Sequence, residues 1–306
     1  MPSILMPDAG NCRGDAFNPF SFRDTIAAMR SWLILPISFL AAAAAFLLPA
    51  QTNAPNAAGI SFGHIHLMVP DPNATEKLLV DILGGTPMQI GALKTVKTPG
   101  VFFILGQRAN STGGTDGSAV NHVGFYVKSY AETKAKATAA GLPIRELVPN
   151  VQAFITFPGD VLIEVQEMDT VKSATVAEFS HYHLSAPPAA MEDARQWYLK
   201  TFGAAESERR KGSKGAGLTG GTIDFLAWGS ATKAAPAPLA PTQGRSLDHI
   251  GFEVKGLKDF AAKLAAQGVK FDRPYSETKA KIGVDLAFIT DPNGTYIELT
   301  EGLAGH

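Results

Sequence analysis

Seven histidines are spread along this 306-residue chain, and six sit in strand-like stretches: His64, His66, His122, His181, His183 and His249. Two carboxylates recur with them. Glu164 and Glu298 each close a segment that begins Ala-Phe-Ile-Thr, running from Ala153 and from Ala287. Two neutral imidazoles and a carboxylate on one face of a divalent cation leave positions open for water, substrate or dioxygen. Such a set is the usual provision for Fe(II), and it also suits Mn(II), Ni(II) or Zn(II). A single strand histidine is more often a hydrogen-bonded core residue than a ligand. Recurrence at matched positions, with a recurring Glu, is what argues for metal here. The one cysteine, Cys12, excludes a disulfide scaffold or a thiolate cluster.

These residues are carried by an internal repeat. Asn121-His-Val-Gly-Phe-Tyr-Val-Lys128 matches Asp248-His-Ile-Gly-Phe-Glu-Val-Lys255, and Phe62-Gly-His64-Ile-His66-Leu matches Phe179-Ser-His181-Tyr-His183-Leu. Each opening strand is followed by a helical pattern that ends in glycine (Gly84, Gly141, Gly203, Gly268), a C-cap signal. Four units of strand, helix and further strands result. Taken in chain order, units 60–108 and 120–167 form a first domain (60–167), and units 179–229 and 247–302 form a second (179–302). The linker falls within Met168–Glu178, and the Ala/Pro-rich stretch 229–246 is a loop. Alternation places every second strand residue on one face. Sequential pairing therefore converges His64, His122 and Glu164 in the first domain, and His181, His249 and Glu298 in the second. His66 and His183 share a face with His64 and His181. They are the catalytic candidates, orienting substrate or moving protons. Two other readings stay open: they pack behind the ligands or in the core, or they are themselves ligands with the roles exchanged.

Composition bounds the rest. With 27 Lys+Arg against 28 Asp+Glu and no basic cluster, nucleic acid is not an expected partner. Hydrophobic residues at 45% and charged residues at 18% fit an ordinary globular protein of two domains. The apolar run Trp32–Leu48, behind Arg30 and ahead of polar Gln51–Ala58, reads as a secretory signal peptide (about 29–54) inside a leader of 1–54. Met29 then offers a start site. An uncleaved anchor is the alternative, and the run sits at the short end for a span. The expected location is secreted or periplasmic, with membrane contact only through this segment. The expected partner is a small-molecule substrate, and the expected state is a monomer or homodimer.

A His on each opening strand, a Glu on the last strand, and Asp291-Pro292-Asn293-Gly294 ahead of Glu298 resemble the vicinal oxygen chelate superfamily. This group includes glyoxalase I, methylmalonyl-CoA epimerase, fosfomycin- and bleomycin-resistance proteins and the type I extradiol dioxygenases. The resemblance covers about Ile60 to Gly302. It implies an α+β fold of four βαβββ modules paired into two half-barrel domains. It also implies a divalent metal that chelates vicinal oxygens of a substrate. The function it suggests is an exported metalloenzyme of dioxygenase or lyase class acting on a small oxygen-rich molecule, aromatic ones included. The alternative is a sequestering protein of the bleomycin-resistance type. Two departures stand out. Phe288 occupies the place of the extradiol tyrosine, and Glu277–Gly283 lacks that group's second histidine. The strands Val101–Gln107 and Ile223–Trp228 lack the fourth-ligand Glu of glyoxalase I. Asp224 or Gln107 would replace it only with a shift in register.

Overall fold

The chain builds one strand–helix–three-strand unit four times over. The computed structural model describes residues 53–171, 176–227 and 239–306. The expected signal segment lies outside these apart from its last two residues, as do Trp228 and part of the 229–246 loop. Module one comprises β1 (Ile60–Val69), α1 (Pro72–Leu83), β2 (Thr86–Ile90), β3 (Leu93–Thr98) and β4 (Val101–Gln107). Module two comprises β5 (Val120–Val127), α2 (Tyr130–Ala139), β6 (Ile144–Val148), β7 (Gln152–Phe157) and β8 (Val161–Glu167). Module three comprises β9 (Ala177–Ala186), α3 (Met191–Phe202), β10 (Ala205–Ser207), β11 (Gly215–Leu218) and β12 (Gly221–Ala227). Module four comprises β13 (Leu247–Val254), α4 (Leu257–Ala266), β14 (Phe271–Ser276), the short α5 (Lys279–Ile282), β15 (Asp285–Thr290) and β16 (Tyr296–Glu301).

Local chemistry explains the helices. In α1 the Asp71 carboxylate accepts from the Asn73 and Ala74 N–H groups, and Pro72 opens the first turn, where its missing N–H costs nothing. Thr75, Leu79, Ile82 and Leu83 form its buried stripe. The chain leaves the helix through Gly84 at φ +69°, a conformation that suits glycine.

The strands form two eight-stranded sheets, the half-barrels expected from the sequence. One runs β14-β15-β16-β13-β1-β4-β3-β2 and the other β10-β11-β12-β9-β5-β8-β7-β6. Module one thus pairs with module four, and module two with module three. This corrects the sequential pairing of 60–167 and 179–302 as separate domains, and Met168–Glu178 joins two modules of one sheet. The physical reason is that the seam motif is indifferent to the partner. Each seam sets a His-x-His strand antiparallel to a His-x-Gly strand: β1 on β13 with His66 opposite His249, and β9 on β5 with His183 opposite His122. Both pairing schemes satisfy that rule, and the choice is made by tertiary packing.

A bulge in each seam decides which way the histidines face. The β1–β13 register shifts between Phe62 and His64, and the β5–β9 register shifts at the matching place, between Gly124 and Phe125. An extra residue in one strand reverses the alternation. Phe62, Ile65 and Leu67 then join the core while His64 and His66 face the opposite side. That core lies between the sheets: Phe62 meets Phe179 at 4.8 Å and Tyr182 at 5.4 Å, and Phe103 stacks on Phe125 at 5.7 Å. The Tyr182 hydroxyl donates to the His64 carbonyl at 3.0 Å, tying the floor of one half-barrel to the opening strand of the other.

Candidate metal centres

Four side chains converge in the module one–four sheet. His64 Nε2 lies 2.9 Å and His249 Nε2 2.8 Å from the same Glu298 oxygen, Oε2, and His66 Nδ1 is 3.1 Å from His249 Nε2. The donor atoms of His64, His66, His249 and Glu298 all lie within 4.8 Å of one another. Register brings this about. Glu298 sits on β16 beside Gly251 of β13, and Gly251 faces His64 across the seam. Glycine is needed there, because a Cβ at 251 would lie 2.1 Å from the His64 ring.

The surrounding bonds fix the ring orientations. The Asp248 carboxylate holds His249 Nδ1 at 2.9 Å, so the other nitrogen turns towards Glu298. Arg108 (2.9 Å) and the Gly244 N–H (2.9 Å) hold the second Asp248 oxygen. Burial opposes ionisation of Asp248, yet His249, Arg108 and Gly244 keep its carboxyl well below the usual range. Glu298 is likewise ionised despite burial, held by His249 and His64. Burial pushes the His64 imidazole down, and loss of water with the neighbouring His249 brings His66 down to about 3. His249 goes the other way: burial is outweighed by its bonds to Asp248 and Glu298. Neutral His64 and His66 beside an ionised Glu298 suit a divalent cation, and binding one would displace the proton that Asp248 and Glu298 favour on His249. Asp248→Asn is therefore expected to weaken Co(II) binding by about 10- to 100-fold, the usual effect of losing such an outer partner. Unchanged affinity in a titration would show that Asp248 does not orient His249.

The module two–three sheet repeats the arrangement with different neighbours. His122 Nε2 lies 3.2 Å from Glu164, 3.3 Å from His181 Nε2 and 3.1 Å from His183 Nδ1. Asn121 stands where the first cluster has Asp248, at 2.8 Å from His122 Nδ1. Asp224 pairs with His183 across β9 and β12, just as Glu164 pairs with Gly124 across β5 and β8. Asp224 is thus in register without any shift, and the first cluster has Ile104 at that place, beside His66. Gln107 lies beyond, opposite Val69. Arg209 enters this cluster, with Nη2 at 3.2 Å from His181 Nε2 and Nε bonded to Asp224.

The structure thus gathers all eight residues singled out from the sequence, but in other sets. His64, His249 and Glu298 stand together with His66, and His122, His181 and Glu164 with His183. The triads His64/His122/Glu164 and His181/His249/Glu298 do not form. His66 and His183 point into the clusters, which removes the reading of them as core residues. Sequence reasoning missed Asp248, Asn121, Arg209 and Tyr296. For the first two a signal existed, since both directly precede an opening histidine of the repeat. Tyr296 stacks on Phe288 at 4.8 Å and lies 5.8 Å from His249.

Five of the six clustered histidines have lowered proton affinity, His249 being the exception. In the unfolded chain these imidazoles take up protons near pH 6.5. Between that pH and their lower folded values, the unfolded state binds more protons, so stability falls with falling pH. The metal-free protein is expected to melt at a lower temperature at pH 5.5 than at pH 7.5. A flat profile over that interval would contradict buried neutral imidazoles.

The model of the Glyoxalase/Bleomycin resistance protein/Dioxygenase superfamily matches residues 181–299 of the chain. The matched stretch spans modules three and four, which the structure divides between its two sheets. Among solved structures, the "putative dioxygenase" of Bacillus subtilis subsp. subtilis str. 168 is similar in fold, with TM-score 0.58 at 15% identity. The match covers 82% of this chain and 88% of that one. Glyoxalase I of Zea mays is similar at TM-score 0.58 and 14% identity, covering 79% and 92%. No curated protein matches the chain by sequence.

Proposed function

We propose that the protein is a divalent-metal enzyme of the vicinal oxygen chelate kind, of dioxygenase or lyase class, acting on a small oxygen-rich substrate. The observation that carries this is the convergence of three imidazoles and one carboxylate within 4.8 Å. His64, His249 and Glu298 would hold the ion, Fe(II) by preference and Mn(II), Ni(II) or Zn(II) otherwise, with His66 as a further ligand or a substrate-orienting group. When bound, a divalent ion supplies Lewis acidity towards vicinal oxygens of the substrate.

The remaining work falls to the chain itself. His66, held neutral by loss of water and the neighbouring His249 yet still partly exposed, is available to orient the substrate by hydrogen bonding. Burial raises the Tyr296 phenol above its ordinary value, so it stays protonated and can donate a hydrogen bond. The parallel Phe288–Tyr296 pair beside His249 offers a flat apolar wall, which favours a planar substrate ring. No carboxylate stands at Ile104, where Asp224 stands in the other cluster, so an isomerase with a fourth carboxylate ligand at this centre is disfavoured. Each cluster is complete within one chain, which supports a monomer. Export through the 29–54 segment is part of the same proposal, and the mature N-terminus, expected near residue 54, tests it.

The functional test is the Fe(II)-loaded protein offered catechols and other vicinal oxygen compounds, with oxygen uptake and oxygen-independent product formation followed separately. Turnover lost in His66→Ala and Glu298→Gln is expected. A substrate-induced spectral change with no turnover would point instead to sequestration.

A further inference from the structure

The second cluster differs from the first in having a cation against its donor atoms, where the first has Arg108 one step removed, on Asp248. The turn between β10 and β11 spans 208–214, whereas its counterpart between β2 and β3 is only Gly91-Ala92. The longer turn delivers two arginines. The Arg209 side chain is 7% exposed, and its guanidinium donates to Asp224 through Nε and to His181 Nε2 at 3.2 Å, with Nη1 3.8 Å from Glu164. Arg210 adds a contact to the same Glu164 oxygen at 3.4 Å.

Each bond removes something a metal would need. An imidazole nitrogen accepting an N–H has its lone pair engaged and cannot donate it to an ion. Glu164 and Asp224 bring two negative charges, and Arg209 and Arg210 bring two positive ones. In the first cluster no cation among the described residues contacts Glu298, whose carboxylate is met there by His64 and His249. A like charge in a buried site opposes entry of a divalent ion, with little water to screen it. Among the described residues, the two clusters therefore differ in where the cation stands: Arg209 reaches the donor atoms of the second, whereas in the first Arg108 stays behind Asp248.

We propose that Arg209 takes the place of the metal in the second cluster, so that the chain holds a single divalent ion, at His64, His66, His249 and Glu298. Loading of the second cluster requires the 208–214 turn to withdraw. The inference rests on the metal reading of the first cluster and extends it to a division of labour between the half-barrels.

The test is metal content of the full chain, stripped with chelator and reconstituted anaerobically with Co(II) and, in parallel, Fe(II). About one equivalent is expected in the unaltered chain and in His122→Ala, and none in His249→Ala. Arg209→Met, which keeps the length but not the charge, is expected to bind about two, with a second set of Co(II) absorption bands. Two equivalents in the unaltered chain, or one retained in His249→Ala, would overturn the proposal. So would a folded Arg209→Met that still binds one. If a thermal melt shows Arg209→Met to be unfolded, the two histidine variants decide the question alone. No uptake by the unaltered chain would overturn the metal reading itself, which is a separate result.

Discussion

Glu298→Gln is expected to abolish metal binding at the first cluster, lowering Co(II) affinity by more than about 100-fold, beyond the cost of losing an outer partner. Glu298 is the one anion among the four donors, and both His64 and His249 approach its Oε2. Glutamine keeps the shape and removes the charge, so the change tests electrostatics rather than packing. Its amide N–H groups can also engage the imidazole lone pairs that a metal would need. In the metal-free state His249 loses one of the two carboxylates that hold its proton affinity up, and its titration is expected to move down. Co(II) titration with imidazole chemical shifts reads both effects. Affinity within a few-fold of the unaltered chain would show that Glu298 is not a ligand.

Gly251→Ala is the second large effect, and it works through space alone. Its Cβ would lie 2.1 Å from both Cε1 and Nδ1 of His64, which is fully buried and has no room to retreat. Overpacking of this kind costs about 1–3 kcal/mol and forces the crowded side chain out of its rotamer. The expected result is a lower melting temperature together with loss of the metal. Gly124→Ala makes the same clash with His181, at 1.9 Å, in the second cluster. It should destabilise comparably and leave the metal content unchanged if Arg209 already fills that site. Native metal affinity in Gly251→Ala would mean that His64 is not held where the structure places it.

Local chemistry was legible in the residues. The repeated Ala-Phe-Ile-Thr segments lie in β7 and β15, where Phe154 and Phe288 pair with Glu164 and Glu298 on the next strand. The four glycines that close the helical patterns all adopt positive φ. What could not be read was which module meets which. A His-x-His strand needs a glycine opposite its first histidine, and both Gly124 and Gly251 provide one, so the motif fits either partner. That ambiguity alone turned the sets His64/His122/Glu164 and His181/His249/Glu298 into the observed ones. The role of Arg209 was hidden for another reason. It sits in a charged turn that resembles any solvated loop, and only the fold brings that turn over His181. The bulges that aim the histidines away from the core leave only a faint trace, in the Gly63 and Ser180 that precede His64 and His181.

The central claim is that one metal centre is assembled from the first and last modules. Metal content of His64→Ala, His249→Ala and the double variant, each reconstituted with Fe(II) in the full chain, tests it most directly. Residues that share one site remove one and the same ion: each single variant should lose the equivalent lost in the other, and the double should lose no more. If the two single variants each lost a different equivalent, with losses that add in the double variant, His64 and His249 would belong to separate sites and the account would be wrong.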